Sequence, residues 1–214
     1  MKLKKEIGNV VALGKPGDLV IAGASTGQGK TEFAVAQALR MLHKNHSVLY
    51  FSTEQPSGEV MRRFIRTQTP ETYEKLENMS VLMPNEIEEL TLASKFLEES
   101  KLVVKDYLGG DFEDIAQEVR QAAINDNELE LVVLDHLHFA KDKDDDTSSV
   151  VNEFTKRLKD LAIEFNIKIL VIVQLMNGAS YEEGQLENMI KKNKLEHNAD
   201  ILVVIEDGKV VLNR

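Results

Sequence analysis

The sequence predicts an α/β fold: a mostly parallel, twisted sheet with helices on both faces. Three observations predict it. Short, continuously apolar runs recur along the chain, stretches with helical apolar spacing separate them, and conspicuous polar residues fall at the ends of the apolar runs. Continuous apolar runs are what strands buried on both faces look like, and strands alternating with helices build parallel sheets. Ligands of such sheets bind outside the carboxyl ends of the strands.

The elements follow in order. Leu19-Val-Ile-Ala reads as a strand, followed by a loop from Gly23 to Gly29 and a helix from Thr31 to His43. Ser47 to Ser52 is the second strand. Ser57 to Arg66 is helical by pattern, with Val60, Met61, Phe64 and Ile65 on one face. Asn85 to Leu97 is a further helix and Leu102 to Asp106 a short strand, closed by a turn at Gly109-Gly110. Asp111 is placed to cap a helix from Phe112 to about Ala123. Leu131 to Leu134 is a buried strand. Ser148 to Phe165 is the clearest helix, because Val151, Phe154, Leu158, Leu161 and Phe165 recur at helical spacing. Ile167 to Val173 and Ile201 to Ile205 are two more strands. After the second, Asp207-Gly208 signals a turn that lets Lys209 to Leu212 close a hairpin. No internal repeat breaks the pattern, and residues 1–214 read as one domain.

Bulk properties narrow the class. A chain of 214 residues with 43% hydrophobic content can bury a sizeable core. Its longest apolar stretches are far too short to span a bilayer, and the charged first residues lack the apolar run of a signal peptide. No membrane association is expected. Cysteine is absent, which excludes a disulfide framework and a thiolate metal site and fits a cytoplasmic setting. The net charge of −10 argues against a surface built broadly to coat nucleic acid, while leaving room for contacts from local basic loops. The acidic run from Lys141 to Asp146 reads as a solvated loop.

Chemistry concentrates in the loop Ala24-Ser25-Thr26-Gly27-Gln28-Gly29-Lys30-Thr31, which matches the phosphate-binding pattern with Ala in place of its first Gly. Backbone N–H groups at the start of a helix, aided by the helix dipole, suit a phosphate. Gly27 and Gly29 permit the tight backbone, Lys30 supplies a point charge to the terminal phosphates of ATP, and Thr31 offers a hydroxyl to Mg²⁺. Asp135, after four apolar residues, is the expected second magnesium group. Glu54 follows the second strand and is either a general base for the attacking water or a surface carboxylate. Gln174 follows the apolar run 169–173 and is either a donor to the γ-phosphate or a buried, hydrogen-bonded amide. His136 and His138 alternate along one side of an extended segment, but no third ligand stands nearby and Mg²⁺ prefers oxygen.

These motifs in this order resemble the motor domain of DnaB-like replicative helicases, within the RecA-like P-loop ATPases. The segment from Pro16 to Thr31 resembles that family's first motif, including the Ala. Phe51-Ser-Thr-Glu-Gln55 followed by Met61-Arg62 resembles its Phe-Ser-Leu-Glu-Met segment and helix. Leu134-Asp-His-Leu-His138 resembles Ile-Asp-Tyr-Leu-Gln, Val173-Gln-Leu-Met176 resembles Ser-Gln-Leu-Asn, and Leu195 to Asp200 resembles Ile-Glu-Gln-Asp-Ala-Asp.

The resemblance implies a RecA-like fold, with Glu54 as catalytic base and Gln174 as γ-phosphate sensor. It also implies a hexameric ring with ATP between subunits, single-stranded DNA in the channel, and an arginine contributed by the neighbour. Arg214 is the candidate for that arginine. The family's N-terminal domain and linker helix are not in this sequence, His138 and Asn177 replace a family Gln and Arg, and the segment 178–194 sets Lys191, Lys192 and Lys194 against Glu182, Glu183 and Glu187. Three readings follow. The first is a helicase or translocase motor on single-stranded DNA. The second is a nucleotide-switched ATPase like recombination accessory proteins or KaiC-like regulators. The third is a non-catalytic ATP-binding subunit of another ring, which intact Lys30, Thr31, Glu54 and Asp135 disfavour.

Overall fold

A computed structural model describes residues 14–25, 27–107, 112–137, 147–175, 197–206 and 209–213. Its strands are β1 (Leu19–Ser25), β2 (Ser47–Ser52), β3 (Leu102–Asp106), β4 (Leu129–Leu137), β5 (Lys168–Leu175), β6 (Ile201–Glu206) and β7 (Lys209–Asn213). Its helices are α1 (Lys30–Leu42), α2 (Ser57–Gln68), α3 (Pro70–Glu77), α4 (Pro84–Glu99), α5 (Phe112–Asn125) and α6 (Thr147–Phe165). The strands form one sheet in the order β3-β2-β4-β5-β1-β6-β7. All neighbouring pairs are parallel except the β6–β7 hairpin at one edge.

Side-chain alternation along each strand feeds two cores, as the two-residue period of a strand requires. Val20 and Ala22 of β1 join Val48, Tyr50, Val133, Leu170 and Ile172 beneath Phe33 and Ala34 of α1, Phe64 of α2 and Leu97 of α4. Leu19 and Ile21 join Leu49, Val132, Leu134, Ile169 and Val171 beneath Ile115 and Val119 of α5 and Leu158 and Leu161 of α6. Helices therefore cover both faces, as expected. On α2 the expected apolar face is real: Val60 and Phe64 are fully buried, and Met61 and Ile65 pack beside them.

Strands run further than their apolar stretches suggest. β4 continues to Leu137 and β5 to Leu175, so Asp135 and Gln174 lie within strands rather than beyond them. A ladder needs only backbone groups, and polar residues at the sheet's carboxyl edge still pair: Ser52 with Asp135, and Ala24 with Gln174. Helix α3 was not expected. It is polar, and Thr72 is its buried residue. The turns at 109–110 and 207–208, the cap at Asp111 and the acidic loop 141–146 lie outside the described residues. Among the described residues, no helix is long and apolar enough to cross a membrane.

The motif ending at Asp200 proves to be a clamp at the opposite edge of the sheet. Asp200 Oδ2 accepts the Leu19 N–H at 2.7 Å and pairs with Lys159 Nζ of α6 at 2.6 Å, while Lys159 also donates to the Gly17 carbonyl at 2.6 Å. Asn198 Nδ2 donates to the Asn152 carbonyl at 3.0 Å and to Thr155 Oγ1 at 3.0 Å. The approach to β6 is thus lashed to α6 and to the start of β1. Replacing Asp200 with Ala leaves the buried Leu19 N–H unpaired, and a stability loss of about 1–3 kcal/mol is expected from urea unfolding. An unchanged unfolding midpoint would show that water replaces the carboxylate without cost.

Candidate functional site

Four neighbouring strands, β2, β4, β5 and β1, end side by side at the carboxyl edge of the sheet. They carry Glu54, Asp135, Gln174 and the phosphate-loop pattern respectively. Ala24 and Ser25 are the last two residues of β1, Thr26 lies outside the described residues, and 27–29 lead into α1. Gly27 has φ 78° and Gly29 φ 85°, the left-handed region that glycine enters without a Cβ penalty. A Cβ on Gly27 would meet nothing within 4 Å, so backbone conformation, not space, requires glycine there. Gly29 is the N-cap of α1, and no side chain caps that turn; Gln28 is half-buried beside it. The dipole end of a 13-residue helix and its first N–H groups therefore open toward the strand ends.

Lys30 and Thr31 begin that helix. Lys30 is 8% exposed; burial pulls its pKa below the usual lysine range, and the charges of Asp135, Glu54 and Glu32 oppose that pull. Thr31 Oγ1 lies 3.5 Å from Asp135 Oδ1, the outer limit of a hydrogen bond. The other carboxylate oxygen, Oδ2, accepts a hydrogen bond from Tyr50 Oη at 2.5 Å. Asp135 is 5% exposed, and burial pushes its pKa up against the hydrogen bonds from Tyr50 and Thr31 and the charges of His136 and Arg63. Tyr50 is fully buried, which together with Asp135 pushes its own pKa well up. The Asp135–His136 peptide is cis.

Glu54 sits on a bend between β2 and α2, its side chain 57% exposed, with Oε2 3.5 Å from His136 Nδ1. The bend is anchored on both sides of Glu54. Thr53 N–H donates to the Asp135 carbonyl at 2.9 Å, and His136 N–H donates to Thr53 Oγ1 at 3.0 Å. Ser52 Oγ donates to the Gln55 carbonyl at 2.6 Å. Gln174 is level with Ala24 in the β1–β5 ladder. His138, Lys192, Lys194 and Arg214 lie outside the described residues.

Lys30, Thr31, Glu54 and Asp135 are thus brought together, and the backbone of Gln174 beside them. Sequence reasoning missed Tyr50, the His136–Glu54 contact and Arg63. Tyr50 has no local signal: it is one more bulky residue in an apolar strand until the β2–β4 register sets it level with Val133, two residues before Asp135, whose carboxylate its hydroxyl reaches.

A parallel sheet of this order, a glycine-bounded loop entering a helix at its carboxyl edge, and a buried aspartate facing that helix define a RecA-like fold. The family model for the DnaB-like helicase C-terminal domain matches residues 5–213, and the chain belongs to that family. The replicative DNA helicase DnaB of Mycoplasma genitalium is 24% identical over 202 residues, covering 89% of this chain and 42% of that protein. DnaB of Haemophilus influenzae is 25% identical over 206 residues, covering 92% of this chain and 43% of that protein. The chain therefore spans less than half the length of these relatives. A solved DnaB-like replicative helicase, studied with its primase interactions, has the same fold at TM-score 0.76 and 23% identity, over 89% of this chain and 47% of that one.

Tyr50→Phe removes a buried donor from a carboxylate while keeping the ring. A loss of about 1.5–3 kcal/mol in unfolding free energy is expected, the scale of a hydrogen bond to a charged group. Urea unfolding measures it, and a neutral result would show that Asp135 does not depend on Tyr50.

Proposed function

We propose that the chain is the ATP-hydrolysing motor of a replicative-type helicase, translocating on single-stranded DNA in the cytoplasm as a head-to-tail ring of copies. The convergence of Lys30, Thr31 and Asp135 at the start of α1 carries this reading. The donor set fits magnesium-bound ATP. Backbone groups of 24–29 cradle the phosphates, and the Lys30 ammonium neutralises their charge. Thr31 and Asp135 offer the oxygen donors that Mg²⁺ prefers. When bound, Mg²⁺ offsets the charge on the phosphate oxygens.

Glu54 accepts the proton of the attacking water. Its exposure leaves it open to that water, and His136 Nδ1 lies 3.5 Å from its carboxylate. Gln174, on the strand next to the phosphate loop, donates to the γ-phosphate and registers its loss. A guanidinium from the next copy, with Arg214 as the candidate, completes the charge neutralisation. Such an arginine is worth about 10³–10⁵ in rate. The net charge of −10 supports the nucleotide-switch reading as the alternative.

The site assignment is tested by separating binding from turnover. Lys30→Ala is expected to abolish hydrolysis and weaken ATP binding. Glu54→Gln is expected to keep binding and cut turnover by about 10²-fold or more. Normal turnover in either variant would remove that residue from the site.

The motor reading is tested by assembly. Steady-state turnover is expected to rise more than linearly with enzyme concentration and to increase with single-stranded DNA, because both act across neighbouring copies. Turnover indifferent to DNA favours the switch, and flat specific activity in a protein shown monomeric by light scattering overturns the ring.

A further inference from the structure

We propose that Arg63 is a positioning residue for hydrolysis: its guanidinium ties the bend that carries Glu54 to the first turn of α1. The proposal rests on Glu54 as the general base.

Arg63 lies in α2, directly after the bend. Its Nε donates to Gln55 Oε1 at 3.0 Å, and its Nη1 pairs with Glu32 Oε1 at 2.5 Å. Gln55 is the residue after Glu54, and Glu32 is the residue after Thr31. One rigid, planar group therefore spans the immediate neighbours of the proposed base and of the proposed magnesium hydroxyl. On its other side the bend is pinned by Thr53 to the backbone of Asp135 and His136. Glu54 stands between these two anchors and has an exposed side chain of its own. Its place relative to Lys30 and Thr31 is thus set by the bend, and the bend's α1-side anchor is Arg63.

Stability alone does not account for the arrangement. The Arg63 and Glu32 side chains are 31% and 41% exposed, and ion pairs as open as this contribute little to folding. The geometry also demands a guanidinium. Two donors diverge toward two acceptors on different elements, which a lysine ammonium on a flexible stem does not reproduce.

The test uses the full chain with Arg63→Gln and Arg63→Lys, each alone and combined with Glu54→Gln. Turnover, binding of a fluorescent ATP analogue and urea unfolding are measured. Arg63→Gln is expected to lower kcat by about 10- to 100-fold, the scale of a misplaced catalytic group. Analogue affinity is expected to change by less than about threefold and the unfolding midpoint to stay in place, since Arg63 acts on the bend and not on the phosphates. Arg63→Lys is expected to resemble Arg63→Gln. In the Glu54→Gln background, single-turnover hydrolysis is expected to fall by less than about twofold further, because residues acting as one unit are not additive. Full activity in Arg63→Lys, affinity lost in step with turnover, or a full multiplicative loss in the double variant would each overturn the positioning role. Normal turnover in Glu54→Gln alone would instead remove the base assignment, and this proposal with it.

Discussion

A carboxylate with 5% exposure has to be held by something, and the way Asp135 is held organises the site. Burial alone favours the neutral acid. The Tyr50 hydroxyl on one oxygen and the Thr31 hydroxyl near the other favour the ion. Lys30, itself largely withdrawn from water, carries the opposite charge beside it. Each of the two ions is costly in isolation, and each lowers the cost of the other. Under the proposed function, a polyphosphate with its cation would meet fixed charges already aimed, with little solvent to rearrange.

The sheet supplies the geometry for this arrangement. β5 lies between β1 and β4, which sets the loop after β1 and the aspartate of β4 two strands apart. α1 leaves β1, and its first turn is where Thr31 meets Asp135. β2 flanks β4 on the far side and brings Tyr50 to the Asp135 carboxylate and the Glu54 bend to the backbone of Asp135 and His136. The clamp at Asp200 and Lys159 sits at the other edge and keeps β1, β6 and α6 in register while taking no part in this chemistry.

What the sequence discloses here is local. The phosphate-loop pattern is legible because strand, glycines, lysine and helix follow one another directly, and Gly27 and Gly29 take the positive φ that such a turn uses. The strand cores are legible because burial on both faces leaves long apolar runs. Strand ends are less so, since Asp135 and Gln174 belong to ladders by their backbones while their side chains look like loop residues. α3 is hidden by its polarity; Pro70 at its first turn is a start signal without an apolar stripe behind it. Tyr50 and Arg63 depend on pairings far along the chain, with Asp135 and Glu32 respectively, and spacing carries no trace of these. The Asp200 motif is visible as a resemblance, but its structural role appears only when Leu19 and Lys159 are seen around it.

The helix that begins at Lys30 is unusual in having almost no outward face. Phe33, Ala34, Val35, Gln37, Ala38, Leu39, Met41 and Leu42 are all buried. Such a helix behaves as a keystone. Interiors packed to crystal-like density do not yield a methylene's width without strain elsewhere. Enlarging Ala34 or Ala38 is therefore expected to strain the rod and the loop at its tip, although neither residue belongs to the phosphate-loop pattern. Beyond Lys30 and Thr31, tolerance to substitution along α1 is accordingly set by volume rather than by chemistry. The packing constraint on α1 thus extends well beyond the loop at its tip.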